Sequence, residues 1–170
     1  MKTLTLITLL ISPLFAFSQI EPELRQGPWI EHYDNGLVKL EVNYVDGIKS
    51  GIEKTYFDNG QLKKHSFYES GLIQGRSIHY YKNGVVSSDA NFLNGEFHGE
   101  VQNYHENGEL RLEATFIEGK EDGTLTMYRS HGVLDRVITY SLGNKLSEQK
   151  FDYDGMPYPE ESQKKGRRNK

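Results

Sequence analysis

The six histidines are the side chains best suited to bind a metal ion or to transfer a proton at neutral pH. The chain repeats every 24 residues, as shown below, and each histidine falls at a different position of that repeat. No pair is therefore held in a recurring ligand geometry, and we predict no metal site. The histidines are His32, His65, His79, His98, His105 and His131.

The carboxylates, serines and glycines do not form a recognisable reaction centre either. Asp34, Asp58 and Glu106 stand beside turn residues, where local hydrogen bonding and solvation explain them. No serine has the context of a nucleophile elbow, and no helix pattern follows a glycine as a phosphate-binding loop requires. The chain contains no cysteine, which excludes disulfides and thiolate metal sites. We predict a protein that is not an enzyme and carries no cofactor.

Composition indicates a thin fold and a partner that is not a nucleic acid. The 170 residues are 36% hydrophobic, with a mean hydropathy of -0.67, which is too polar for a thick continuous core. The net charge of -4 becomes -5 without Lys2 and gives no global attraction for nucleic acid or anionic lipid. The single basic block lies in the last residues, which are Lys164, Lys165, Arg167, Arg168 and Lys170.

Residues 1–18 have the pattern of a secretory signal peptide. Lys2 precedes an apolar run from Leu4 to Phe17, and residues 16–18 (Ala-Phe-Ser) supply a small-x-small cleavage pattern. A membrane anchor is the alternative, but it needs about 18 to 20 clean apolar residues. The sequence therefore predicts an exported protein, periplasmic or extracellular, whose mature chain begins at Gln19.

Glycines reveal an internal repeat of 24 residues. Fifteen of the seventeen glycines fall into three series with that spacing, and the other two are Gly155 and Gly166. Such regularity is the mark of a repeat architecture. The series are 27, 51, 75, 99 and 123; 36, 60, 84, 108 and 132; and 47, 71, 95, 119 and 143.

Aromatic and aliphatic residues recur with the same period. These residue types suit a pleated, half-buried surface, and no segment keeps a helical periodicity, so the pattern predicts β-strands. One column is His32, Tyr56, Tyr80, Tyr104 and Tyr128; the second is Tyr44, Tyr68, Phe92, Phe116 and Tyr140; the aliphatic column between them is Val38, Leu62, Val86, Leu110 and Leu134.

Asn-Gly pairs between the strand-like runs indicate one β-hairpin in each repeat. A two-residue loop would place each first-column aromatic opposite a polar residue such as Lys63. A three-residue loop with the glycine in a bulge places Tyr56 opposite Leu62, and alternation then puts Tyr68 on the same face. We predict the bulged loop, with all three apolar columns on one face.

The predicted fold is all-β: an elongated, single-layer, twisted antiparallel sheet of about ten strands, built from five 24-residue hairpins. A short lead of residues 19–26 precedes the array, and a partial repeat or C-terminal cap at 147–158 follows it. Residues 159–170 lose apolar periodicity, which predicts a disordered basic tail. The five repeats cover 27–50, 51–74, 75–98, 99–122 and 123–146.

The fifth repeat departs from the pattern. Its loops lack the usual asparagine at position 131 and the usual polar residue at 142, which predicts a different local shape. Apolar residues also occupy its other face, and we expect the segment after it to fold back and cover them. The residues to be covered are Leu125, Met127, Val133 and Val137, and the covering ones are Phe151, Tyr153, Met156 and Tyr158.

A group of aromatic residues is the candidate partner-binding surface. Tyr33, Phe57 and Tyr81 recur every 24 residues on the second face, with Trp29 nearby and Phe67 in the second repeat. Grouped exposed aromatics are typical of protein interfaces because they supply contact area at low entropic cost. The alternative is that these rings pack against one another and only stiffen the sheet.

Two recurring segments resemble MORN repeats. Residues 92–99 (Phe-Leu-Asn-Gly-Glu-Phe-His-Gly) resemble the aromatic-x-Asn-Gly-x-x-x-Gly centre of the repeat, and residues 80–84 (Tyr-Tyr-Lys-Asn-Gly) are similar to the variant found in bacteria. The resemblance extends over residues 27–146. It implies an elongated sheet of hairpins and no catalytic residues. Proteins of the bacterial variant are commonly described as antitoxin components, and MORN proteins in general as scaffolds and sometimes lipid binders.

Our hypothesis from the sequence is an exported, non-enzymatic scaffold that binds another protein, in an antitoxin-like or immunity-like role. Export implies that the target of such an antitoxin lies in the cell envelope. The alternative is a repeat protein that binds lipid or glycan at the envelope, since flat aromatic surfaces suit sugar rings.

Overall fold

The computed structural model describes residues 24–159, which form one open antiparallel β-sheet without a helix. The predicted all-β class and the sheet of successive hairpins are confirmed. The predicted signal peptide, most of the lead and all but the first residue of the basic tail lie outside the described residues. The strands are β1 (Gly27–His32), β2 (Val38–Val45), β3 (Ile48–Lys49), β4 (Gly51–Tyr56), β5 (Leu62–Glu69), β6 (Leu72–Tyr80), β7 (Val86–Leu93), β8 (Glu96–Tyr104), β9 (Leu110–Ile117), β10 (Lys120–Glu121), β11 (Gly123–Tyr128), β12 (Leu134–Ser141) and β13 (Asn144–Lys150).

Strand order in the sheet follows chain order. β3 and β10 are short segments that pair with β2 and β9, so the other strands occupy eleven successive positions across the sheet. Ten of these positions belong to the five predicted hairpins, and the eleventh is β13, which runs from the end of the fifth repeat into the partial repeat. In the described range no helix is long and apolar enough to cross a membrane.

The first type of turn is the predicted bulged loop. In the second repeat the Phe57 amide donates to the Gln61 carbonyl (2.8 Å) and the Gly60 amide donates to the Phe57 carbonyl (2.9 Å). Gly60 has a φ of +85°, a conformation that glycine adopts without steric cost. Tyr56 therefore lies opposite Leu62, as predicted.

A second bulge makes the predicted face assignment wrong. After the Tyr56 and Leu62 pair, Thr55 pairs with Lys64, so Lys63 is an extra residue that reverses the alternation. Tyr68 shares a face with Lys64 and lies on the opposite side of the sheet from Tyr56. We call the two sides the Tyr56 face and the Tyr68 face.

The second type of turn is a tight two-residue loop that connects successive repeats. Its first residue has a φ near 50° and its second is glycine with positive φ, as in a type I′ turn. The fifth repeat keeps this shape although its first turn residue is Leu142, with a φ of 45°. Its bulged loop is also retained, because the Gly132 amide still donates to the Arg129 carbonyl (2.9 Å). The prediction of a different shape is therefore wrong.

Hydrogen bonds join each turn to the neighbouring repeat. The amide of the I′-turn glycine donates to a carbonyl of the preceding hairpin, as from Gly71 to Lys49 (3.0 Å). At the opposite end of the strands, Asn83 Nδ2 donates to the Glu106 carbonyl of the next turn (2.9 Å). Because such bonds recur along the array, each repeat is fixed at both ends to its neighbours.

The most buried residues lie at the centre of the Tyr68 face. Small side chains dominate there, including Ser66, Ala90 and Ala114, with exposed fractions of 0%, 2% and 6%. Larger side chains around them, such as Tyr68 and Phe92, cover these positions without a second layer. The core is therefore one residue thick, as the polar composition predicted.

The segment after β13 does not fold back over the fifth repeat, so that prediction is wrong. It forms a sixth bulged turn, in which the Asp152 amide donates to the Met156 carbonyl (2.8 Å), and Phe151 pairs with Pro157. Tyr153 is 71% exposed and stacks on His131, with ring centroids 4.8 Å apart. The segment extends the repeat pattern because the same turn chemistry is present in its sequence.

Candidate binding surface

The structure separates the five predicted binding residues. Phe67 lies on the Tyr56 face, directly opposite Ile52, and is 45% exposed. Trp29 pairs with Val42 on the Tyr68 face, where the Arg25 guanidinium lies 4.3 Å from its ring. Tyr33, Phe57 and Tyr81 lie beside the bulged turns and are only partly exposed. The five residues therefore do not form one continuous surface.

Tyr33 and Tyr81 make structural contacts between repeats. Their hydroxyls donate to the backbone carbonyls of Tyr56 and Tyr104, each at 2.7 Å. His105 occupies the same repeat position and its Nε2 lies 3.0 Å from the Tyr128 carbonyl. The alternative, that these rings stiffen the sheet, therefore has direct geometric support for the two tyrosines.

Exposed aliphatic residues, which the aromatic pattern did not predict, lie near Phe67 on the same face. Each is about half exposed, and Ile48 lies against the turn glycine Gly71 that precedes Leu72. The sequence signal that could have predicted them is an apolar residue every 24 positions, at Leu24, Ile48 and Leu72. We define the apolar patch as Val45, Ile48, Ile52, Phe67 and Leu72, with exposed fractions of 49%, 49%, 53%, 45% and 47%.

A buried ion-pair network occupies the Tyr68 face of the second repeat. Glu53 is 2% exposed and contacts both Lys49 and Lys64, with Lys64 Nζ 2.5 Å from Glu53 Oε1. Burial alone would raise the pKa of Glu53, but the two lysines together hold it below its ordinary value. Glu53 therefore stays ionised at neutral pH and does not act as a proton donor there.

The remaining polar groups on this face do not form a reaction centre. Ser66 Oγ and Ser77 Oγ are hydrogen-bonded to each other at 2.6 Å, so each hydroxyl has the other as a partner. Burial, with Lys64 and Lys63 nearby, lowers the pKa of His79, which keeps this imidazole neutral. Within residues 24–159 no three His, Asp or Glu side chains are grouped closely enough to hold a metal ion.

A polar trough crosses the Tyr56 face of the third to fifth repeats. One part is a hollow of about 220 Å³ between Glu100, Glu113 and Thr126, and Glu100 also borders a second hollow next to Arg76 and Asp89. Glu113 Oε1 accepts a hydrogen bond from the Tyr128 hydroxyl (2.9 Å). The trough presents carboxylates, amides and hydroxyls, which are groups that bind cations and hydrogen-bond donors.

The fold defines a β-hairpin repeat protein, and comparison with protein families finds a similarity in three of its hairpins. The family model of the MORN repeat variant matches residues 49–70, 73–94 and 97–118. Each matched segment runs from one I′ turn to the next and contains one bulged loop. The match covers three of the five hairpins for which the sequence predicted the resemblance. A comparison with curated proteins finds no match.

Proposed function

We propose that this chain is an exported, non-enzymatic repeat scaffold that binds a protein partner through the apolar patch. The supporting observation is the cluster of five half-exposed apolar side chains on one face of a sheet that has no second layer in the described residues. An exposed apolar cluster rimmed by polar residues is typical of a protein interface. An antitoxin-like or immunity-like role is one form that such binding can take.

The strands hold the patch in a fixed arrangement. Ile52 and Phe67 are direct partners in adjacent strands, and Ile48 packs against the next turn. Because backbone hydrogen bonds fix these positions, binding requires little ordering of the scaffold, which favours affinity. Of the five binding residues predicted from the sequence, Phe67 is the one that belongs to the apolar patch.

Affinity capture with matched variants tests the proposed surface. We expect the chain to retain one stoichiometric protein from the envelope fraction of the cells that make it, and the double variant Ile52→Thr, Phe67→Ala to lose that protein. Leu146→Ser is the control, because Leu146 is 65% exposed and lies outside the patch. Equal retention by the double variant and the control would exclude this surface.

Lipid or glycan binding at the envelope is the second candidate. The apolar patch could enter the interface of a bilayer, and the cations of residues 164–170 could add about 1 kcal/mol each near an anionic surface. Sedimentation with anionic and neutral vesicles, with and without residues 159–170, tests the lipid form. Binding to vesicles in the absence of a retained protein would favour this candidate over the first.

Export is a separate part of the proposal and has its own test. The intact mass of the protein recovered from cells should correspond to a chain that begins at Gln19. A mass that includes residues 1–18 would contradict cleavage at this site and favour the membrane-anchor alternative.

A further inference from the structure

The fourth repeat, together with residues 96–98 before it, carries an excess of negative charge. Residues 96–122 contain eight acidic and two basic side chains, a net charge of -6, whereas the whole chain has a net charge of -4. Among residues 24–159, none of these eight acids takes part in an ion pair. The eight are Glu96, Glu100, Glu106, Glu109, Glu113, Glu118, Glu121 and Asp122.

Two of these eight acids line a shaped surface. Glu100 and Glu113 line the trough on the Tyr56 face together with Gln102, Thr115 and Thr124. A guanidinium or ammonium group in the trough would meet two carboxylates and additional neutral acceptors, which suits charge-assisted hydrogen bonds. Arg76 borders the trough, and its guanidinium is already paired with Asp89, with Nε 2.8 Å from Oδ1.

We propose that the basic segment 164–170 of the same chain docks into this trough. It carries five cations and no acid, so its charge complements that of the fourth repeat. No other stretch of similar length in the chain is as basic. The contact would neutralise most of the local charge excess and would leave the apolar patch on the earlier repeats uncovered.

The segment is long enough to reach the trough. The Tyr158 amide donates to the Lys150 carbonyl in β13, which places the start of the segment beside the last strand. Tyr158 lies on the outer edge of β13, so five strand spacings, about 24 Å in total, separate it from β8. The six residues 159–164 can extend about 20 Å, so residues 164–170 can lie over β9 and β8.

Paramagnetic relaxation in the full chain tests this contact. Because the chain has no cysteine, Asn169→Cys gives a single site for a nitroxide label. We expect most of the amide signal of residues 100–102 and 113–115 to be lost, and the signal of the first two repeats to be unaffected. At 1 M salt, where the screening length falls to about 3 Å, the lost signal should return.

Two variants separate docking from chance proximity. Glu100→Gln with Glu113→Gln should restore the amide signal, whereas Glu69→Gln should not, because Glu69 is an exposed acid of the second repeat outside the trough. An unchanged signal loss in the double Gln variant would overturn the proposal. Signal loss confined to β12 and β13 would also overturn it. Signal loss on mixing nitroxide-labelled chains with isotope-enriched chains would overturn it as well, because that contact would be intermolecular.

Discussion

Leu142 shows how a repeat tolerates an unsuitable residue. It has a φ of 45°, which costs an L-residue other than glycine or asparagine about 1–2 kcal/mol. The turn keeps its shape because the Leu142 amide donates to Asp122 Oδ1 (3.0 Å) and the next glycine amide donates to the Glu121 carbonyl (2.7 Å). The strain is therefore balanced by contacts with the preceding hairpin.

Leu142→Asn should stabilise the protein. Asparagine tolerates this conformation and occurs at the same turn position in Asn94, and Leu142 is 54% exposed, so little burial is lost. We expect the free energy of unfolding in urea to rise by about 0.5–1 kcal/mol. Leu146→Asn is the control, because Leu146 does not have a positive φ. An equal effect of the two substitutions would show that turn strain is not the cause.

Glu53 should make stability depend on pH. The pKa of Glu53 is lowered in the folded state. Its contribution to the free energy of unfolding is therefore fully present above the ordinary pKa of 4.5, and it is lost as pH falls through the lower folded-state pKa. Glu53→Gln should reduce the free energy of unfolding by about 1.5–3 kcal/mol at pH 7. The difference from the parent protein should shrink as pH falls below 4.5 and through the lowered pKa of Glu53. A difference that does not change with pH would contradict the ion-pair explanation.

At the scale of the hairpin, the turn glycines serve two purposes. All need a positive φ, but only some also lack space for a side chain. A Cβ on Gly71 would lie 3.0 Å from Ile48 Cγ2, whereas a Cβ on Gly84 would meet nothing within 4 Å. Gly71 itself is therefore a packing contact between repeats, whereas Gly84 is not, although other residues of its turn contact the next repeat.

Comparison of Gly71→Ala with Gly84→Ala should separate these two effects. Both substitutions impose the cost of alanine at positive φ, which is about 1–2 kcal/mol. Gly71→Ala should destabilise by about 1 kcal/mol more, because the new methyl group overpacks against Ile48. In an Ile48→Ala background the two costs should become equal. Equal costs in the parent protein would contradict the packing role, and thermal unfolding can measure them.

Much of the hairpin could be predicted from the sequence. The glycine series and the Asn-Gly pairs predicted the bulged loop, and the structure has the expected pairing of Tyr56 with Leu62. The face of Tyr68 could not be predicted in this way, because Lys63 is a bulged residue without a glycine or another local signal. One unrecognised bulge reverses every side chain that follows it in the strand.

The candidate site was harder to predict than the fold. Residue type alone does not distinguish an exposed ring such as Phe67 from Tyr81, whose hydroxyl is bonded to the next repeat. The aliphatic members of the apolar patch were overlooked because they resemble ordinary strand residues. Their exposure depends on a sheet with no covering layer, which becomes evident only from the three-dimensional arrangement.

At the scale of the whole molecule, the repeats share one backbone but differ in surface chemistry. Repeats one to three expose apolar residues on the Tyr56 face, and the fourth exposes unpaired carboxylates. Because stability in such arrays comes from contacts between neighbours, surface residues can differ without disrupting the fold. The regular turn-to-turn contacts therefore leave the two faces available for binding.

Hydrogen exchange at the turn glycines tests most directly whether each repeat is fixed to the one before it. The amides of Gly71, Gly95, Gly119 and Gly143 donate to carbonyls of the preceding hairpin, and the Gly47 amide donates to the Arg25 carbonyl in the lead. The five bonds are 2.7–3.0 Å long, although all five glycines lie in surface turns. We predict that all five exchange slowly. The amides of Ser70 and Glu118 beside them, which donate no hydrogen bond within residues 24–159, should exchange quickly. Exchange of the five glycine amides at the rate of an unstructured peptide would contradict the proposed coupling of the repeats.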